Sequence, residues 1–297
     1  MKQSVMTSLL MNEAIPEFQE SLSIRGLSGA TLRGYHVDIR QFNRWISSKA
    51  NSPVLVDEIT VQHIEEFFSY LTKAKACKPS TINRKINALS TFFSCMKKKK
   101  YITESPMEDF KRMKVPDSER IYLNREEVEA IISAVEHPTL SYFVMTMAYT
   151  GLRVNECINL TINDVNFEEG CIKVINGKGG KNRTIPLNKQ LKEHLKKYLE
   201  LHRPYTDSLF FFALQKTGTV SGQYINRKLK EACEKSGIKK HVTSHILRHS
   251  FASYLVKKDT HVAVIQRLLG HSSLKTTSIY LHVNQDDLQA AVDQIDF

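Results

Sequence analysis

Long apolar runs are missing from this 297-residue chain, and no stretch approaches the ~18 residues needed to span a bilayer, so no helical membrane span is expected. The opening MKQSVMTSLLMNEAIPEF has too short an apolar core, with acids too soon, for a signal peptide; a cytoplasmic protein is expected. Cysteine is sparse. Cys77, Cys95, Cys157, Cys171 and Cys233 form no C-x-x-C pair, which argues against a disulfide framework or a zinc knuckle and for reduced thiols. Clusters of Asp, Glu and His with metal-ligand spacing are also missing, and no metal site is expected. The spacing G-x-x-x-x-G-K-[ST] is absent, so the glycine- and lysine-rich NGKGGKNR does not indicate nucleotide binding. Acidic residues are in deficit, at 31 against 42 Lys and Arg. The net charge of +11 favours a polyanionic partner, with nucleic acid ahead of the ribosomal or membrane-surface roles that basic proteins also fill.

Helical periodicity is abundant. Residues 14–96 contain little strand pattern: a first helix over Ala14–Ile24, then a longer one from Ser28 or Thr31 with Tyr35, Ile39, Phe42, Trp45 and Ile46 at helical spacing. Thr60 is placed to cap VQHIEEFFSYLTKA. Lys78-Pro79-Ser80 interrupts the pattern, and a fourth helix follows with Ile82, Ile86, Leu89, Phe92 and Phe93 inward. The aromatic stripe reads as core rather than a base-stacking surface, and Arg84 and Lys85 as phosphate contacts. Lys97–Lys100 suits a solvated helix end as well as a phosphate contact. Tyr101 to Arg120, with Pro106 and Pro116 and little periodicity, is a linker.

The second half mixes patterns. Helices are expected near Asn124–Glu136 and Leu140–Tyr149, with a break at Gly151 and Arg153 at the turn. Short β-type runs at Ile172–Ile175 and Thr184–Leu187 flank the glycine-rich loop, making a hairpin whose tip carries Lys178 and Lys181. A solvated mobile tip is the ordinary reading of such a loop. Helices follow at Lys189–Leu201 and about Ser221–Ser236. The chain is thus expected to be mainly α with a small antiparallel β-sheet, an α+β fold of a helical module (12–100), a linker (101–120) and a larger domain (121–297).

The densest chemistry lies between Thr243 and Val283. His245 and Arg248 stand three residues apart, on one face of a helix. A second helix stops at Leu269-Gly270, His271 follows directly, and Tyr280 comes nine residues later. Each taken alone is ordinary. Together they suit a phosphate: Arg gives a planar fork of donors, His donates or accepts near neutral pH, and Tyr offers a nucleophilic oxygen.

This composite resembles the tyrosine recombinase (phage integrase) family, whose signature is His-x-x-Arg, Leu-Gly-His, then Tyr. The resemblance runs from about Ala14 to the end and is closest to compact, two-domain Xer-like members. It implies a helical core-binding (SAM-like) domain ahead of a catalytic domain. The family's first arginine falls on Arg153 in TGLR and its hairpin lysine on Lys178 in GKGGKNR. His245 and Arg248 fall in HILR, His271 in LGH and the nucleophile Tyr280 in SIYLH. By this resemblance Arg153 and Arg248 clamp the non-bridging oxygens and Lys178 protonates the leaving 5′-oxygen. His245 serves as base or hydrogen-bonding group, and His271 as phosphate donor. The covalent 3′-phosphotyrosine conserves the bond energy, so no cofactor is expected. His249 and His282 read as packing or supporting groups. Glu156 could pair with Arg153 or sit in solvent, and stays outside the expected site.

The implied function is site-specific recombination through a Holliday junction, in integration and excision or in dimer or cointegrate resolution. The implied partners are double-stranded DNA with a specific site, a homotetramer on two sites, and no membrane. A related second recombinase or accessory protein could join them. Type IB topoisomerase-like relaxation and a non-catalytic DNA-binding regulator are the alternatives. The tail Gln285–Phe297 has an apolar face of Leu288, Val292 and Ile295, suited to docking on a neighbouring protomer or on its own domain.

Overall fold

A computed structural model describes residues 8–27, 29–116, 121–175 and 182–270. The chain divides into two compact units, residues 1–118 and 119–297. Among the described residues no helix is long and apolar enough to cross a membrane.

In the first unit four helices enclose one core: α1 (Met11–Ile24), α2 (Gly29–Ala50), α3 (Val61–Lys73) and α4 (Pro79–Lys98). Its centre is aromatic. Phe18, Phe42, Phe67, Phe92 and Phe93 are buried and meet largely edge to face, with Phe42 and Phe67 centroids 5.1 Å apart. That geometry sets the positive ring edge on the negative face and adds to the burial of large apolar surface. The expected phenylalanine stripes are therefore core. Pro79 does not interrupt α4 but opens it, where a missing N–H costs nothing and the fixed φ suits the first turn.

Lys85, read from sequence as a phosphate contact, is buried inside α4; its Nζ donates to Asp38 Oδ1 at 2.6 Å and to Gln41 of α2. Asp38 is itself fully buried and also takes a charge-assisted bond from Arg84, which stays half exposed. A buried carboxylate needs such partners, because desolvating it unpaired would cost several kcal/mol, on the order of the penalty for any bare ion.

The second unit is α+β. Helices α5 (Arg125–Ala134) and α6 (Pro138–Thr150) lead to a short α7 (Val154–Ile158). Strands β1 (Val165–Asn166), β2 (Cys171–Val174) and β3 (Arg183–Pro186) form an antiparallel sheet in sequence order. Four further helices follow: α8 (Lys189–Lys197), α9 (Gly222–Lys235), α10 (Ser244–Val256) and α11 (Val262–Leu269). Asn124 caps α5 reciprocally with Glu127: Asn124 Oδ1 accepts from Glu127 N at 2.8 Å and Glu127 Oε2 from Asn124 N at 2.9 Å. Phe143, Met147, Leu152, Ile172, Ile185, Leu229 and Leu247 bring α6, α9, α10 and the sheet into one core.

Two features of this core position the site. Gly151 ends α6 at φ 65°, and a Cβ there would lie 2.4 Å from Phe251 Cδ1, so only glycine lets α10 approach and the chain turn into α7. In the β2–β3 register, Ile172 faces Ile185 and Val174 faces Arg183. Arg183 therefore shares the inner face of the sheet with apolar residues, because side chains alternate with a period of two.

Candidate active site

Three guanidiniums meet around one carboxylate. Glu156 sits in the first turn of α7, and its Oε2 accepts the Arg153 backbone N–H at 2.8 Å while Oε1 accepts Arg153 Nη1 at 2.7 Å. From β3, Arg183 forks onto the same carboxylate, Nη1 to Oε1 at 2.9 Å and Nη2 to Oε2 at 2.7 Å. Arg248, one turn into α10, places Nη1 3.9 Å from Oε2. Sequence spacing allowed the Arg153–Glu156 pair; the structure makes it and adds Arg183.

The same arginines close off the end of α11. Leu268, Leu269 and Gly270 offer successive carbonyls, and each accepts from a different arginine. Arg183 Nε reaches Leu268 O at 2.8 Å, Arg248 Nη2 reaches Leu269 O at 2.7 Å, and Arg153 Nη2 reaches Gly270 O at 3.3 Å. Arg248 Nη1 also takes Gly151 O, beyond the end of α6, at 2.7 Å. These are the carbonyls that a helix leaves without an internal partner, at the negative end of its dipole. Gly270 is left-handed at φ 64°, which halts α11 directly before His271.

Electrostatics separates this cluster from an ordinary ion pair. The side chains of Glu156, Arg183 and Arg248 are only 7%, 8% and 6% exposed, and that of Arg153 23%. Arginine does not deprotonate in proteins, so among the described residues three positive charges meet one negative. Among the described residues the carbonyls accept from these guanidiniums, and Glu156 is the one carboxylate that the three share. Burial by itself would raise the Glu156 carboxyl. The Arg183 bonds, the Arg153 amide and the nearby guanidiniums overcome that and lower it from 4.5 to about 2. Its neighbour Cys157 is wholly buried, and desolvation holds that thiol well above its usual range.

Of the six residues expected in the site, three are described. The structure brings Arg153 and Arg248 together on Glu156, and His245 lies exposed in the first turn of α10, one turn before Arg248. Lys178, His271 and Tyr280, with Lys181 and the tail 285–297, lie outside the described residues. Glu156 and Arg183 were not expected. The signal for Glu156 was its i, i+3 spacing to Arg153, and for Arg183 its alternation with Ile185.

Comparison with known proteins identifies the family. A model described as "Phage integrase family" matches residues 122–287, and one described as "Phage integrase, N-terminal SAM-like domain" matches residues 15–103. A tyrosine recombinase of Thermosipho africanus (strain TCF52B) is 34% identical over 96% of this chain and 100% of its own length. Tyrosine recombinase XerA of Pyrococcus furiosus is also 34% identical, over 96% of this chain and 94% of its own. Among solved structures, a lambda integrase (75–356) dimer bound to a COC′ core site has a TM-score of 0.75 at 22% identity, covering 98% of this chain and 99% of that one. That likeness concerns the fold.

Proposed function

The chain belongs to the phage integrase family, among its Xer-like tyrosine recombinases, and we propose that it is a site-specific recombinase that cuts and rejoins duplex DNA through a 3′-phosphotyrosine on Tyr280 and a Holliday junction. One observation carries the proposal: Arg153, Arg183 and Arg248 converge on the Glu156 carboxylate and on the carbonyls that end α11.

In this reading a scissile phosphate enters against Arg153 and Arg248, which neutralise its non-bridging oxygens. Preorganised donors of this kind are each worth on the order of 10²–10³ in rate. Tyr280 Oη attacks phosphorus. A bond forms from the phenolic oxygen to phosphorus, and the bond from phosphorus to the 5′-oxygen breaks. The phenolic proton passes towards His245, and Lys178 delivers a proton to the departing 5′-oxygen. His271 donates to the phosphate. Attack by a 5′-hydroxyl of the other strand reverses these steps and frees Tyr280, so the bond energy is retained and no cofactor is consumed. Lys181 and Arg84 are assigned to the DNA backbone.

The protein is placed in the cytoplasm with its DNA, and a homotetramer on two sites fits the need to exchange strands between two duplexes. Swivelling relaxation of the topoisomerase type gains no observation of its own.

The test uses a duplex selected by the full-length chain from a random-sequence library and then nicked to trap the covalent product. Wild type is expected to form a protein–DNA adduct, and Tyr280→Phe to bind the same duplex without forming one. Adduct at the wild-type level in Tyr280→Phe would refute Tyr280 as the nucleophile.

A further inference from the structure

We propose that Arg183 is a positioning residue: from β3 its single guanidinium holds Glu156 and the end of α11 together, and thereby sets where Arg153 and Arg248 present their donors. This rests on the recombinase reading above and adds to it a residue that touches no substrate.

Four observations lead there. Every nitrogen of Arg183 is engaged by the protein itself, Nη1 and Nη2 by the Glu156 carboxylate and Nε by Leu268 O. With its side chain only 8% exposed, it is a framework member rather than a surface phosphate contact. The same carboxylate is the partner of Arg153 Nη1, so a shift of Glu156 moves the arginine that would meet the phosphate. Through Leu268, Arg183 fixes the turn whose next two carbonyls hold Arg248 and Arg153.

The backbone is fitted to this side chain. At Gly270, left-handed at φ 64°, an added Cβ would stand 3.0 Å from Arg183 Cδ and 3.0 Å from its Nη1, so a side chain there would be strained and would press on Arg183. Lysine could keep the charge in this place but not the geometry. A point ammonium cannot bond both oxygens of a carboxylate in one plane and a carbonyl at its far side. Arg183 also stands five residues after Lys178, and Leu268 three before His271. One side chain thus ties described stretches that lie close in sequence to both candidate groups.

The experiment compares wild type, Arg183→Lys, Glu156→Gln and the double variant as full-length chains on the selected, nicked duplex. Three quantities are read: the adduct-forming rate at saturating DNA, the affinity for the duplex, and the thermal midpoint. The expected result for Arg183→Lys is a folded protein with unchanged affinity and a rate lower by on the order of 10²-fold, as a misplacement of reacting groups produces. The double variant should be no slower than the slower single one, because both changes break one linked unit. A residue that only supported the fold would lower the midpoint and leave the saturated rate of the folded protein unchanged. An unchanged rate in folded Arg183→Lys overturns the proposal, and so does a loss that saturating DNA restores. Multiplying losses in the double variant overturn it as well. If Arg183→Lys does not fold, Glu156→Gln decides by the same rate, and an unchanged rate there is equally fatal. Wild type that binds the duplex and never forms an adduct would instead sink the recombinase reading, and this inference with it.

Discussion

Each unit of the protein buries an ionic cluster, and the two are balanced differently. In the helical unit Asp38 and Lys85 are 0% and 5% exposed, one charge of each sign, while Arg84 keeps half of its side chain in solvent. In the second unit one carboxylate, Glu156, faces two arginines as deeply buried and a third only partly exposed. The first cluster is complete. It pins α2 to α4, and its interior charge sums to zero. The second, among the described residues, gathers three guanidiniums on one carboxylate, an arrangement suited to the phosphate of the proposed function. Burial of a cation therefore says little about function until the charges around it have been counted.

The largest expected effect tests the claim that the first cluster is complete. Asp38→Ala leaves Lys85 buried without its counter-ion and should cost about 3–5 kcal/mol, seen as a lower midpoint in denaturant titration. Replacing both, as Asp38→Leu with Lys85→Met, should return most of that loss, since a balanced pair can give way to apolar side chains of similar volume. The adduct-forming rate of the folded double variant at saturating DNA should match wild type. A slowed rate in that variant would mean that the helical cluster serves the chemistry too, and the contrast would fail.

The second expected effect follows from Glu156. Its carboxyl is held near 2 in the folded protein against 4.5 ordinarily, so folding favours the ionised form. The stabilisation is fully present above the ordinary value and fades as pH falls from about 4.5 towards 2. At one pKa unit per ~1.4 kcal/mol this amounts to about 3 kcal/mol. Chemical denaturation of Glu156→Gln should show a loss of that order at neutral pH and a shallower decline below pH 4.5 than wild type. Parallel acid limbs for the two proteins would mean that the Arg183 fork and the Arg153 amide do not hold the carboxylate as described.

Much of the architecture was legible because it depends on apolar periodicity. Ile82, Ile86, Leu89, Phe92 and Phe93 mark the inner face of α4 without help from the rest of the chain. The two-residue β1 carries too little pattern to be seen, and its pairing with β2 depends on distant packing. One cation was misread and another passed over, at positions with a shared pattern. Lys85 lies three residues after Ile82 and four before Leu89, on the buried stripe, and Arg183 alternates with Ile185 on the inner face of β3. In both places the period points inward although the residue is charged. A charged residue in register with the core implies a buried partner. Asp38 and Glu156 are those partners, but each lies far away in sequence from the cation that needs it, 47 residues for Lys85 and 27 for Arg183. Arg153 and Arg248 were singled out for another reason: the family resemblance marks both, and Arg248 also stands at helical spacing from His245, with no distant partner required.

The smallest expected effect concerns Arg84, the member of the first cluster that reaches solvent. Its bond to Asp38 is half exposed, and Asp38 keeps Lys85 without it, so Arg84→Gln should change stability by less than ~1 kcal/mol. Its other proposed role, a contact with the DNA backbone, makes a separate demand. A phosphate contact releases counter-ions, so losing one should lower the magnitude of the slope of log affinity against log salt by about 0.9. The loss should be similar for the selected duplex and for unrelated duplexes, because a phosphate carries no base identity. Titrations at several salt concentrations on both duplexes measure these quantities together. If the slope is unchanged and stability falls by several kcal/mol, Arg84 belongs wholly to the interior pair with Lys85. If the slope falls as expected with little loss of stability, the exposed half of Arg84 is where the balanced cluster meets DNA, and the helical unit contributes phosphate contacts from beside a core that is itself electrically complete.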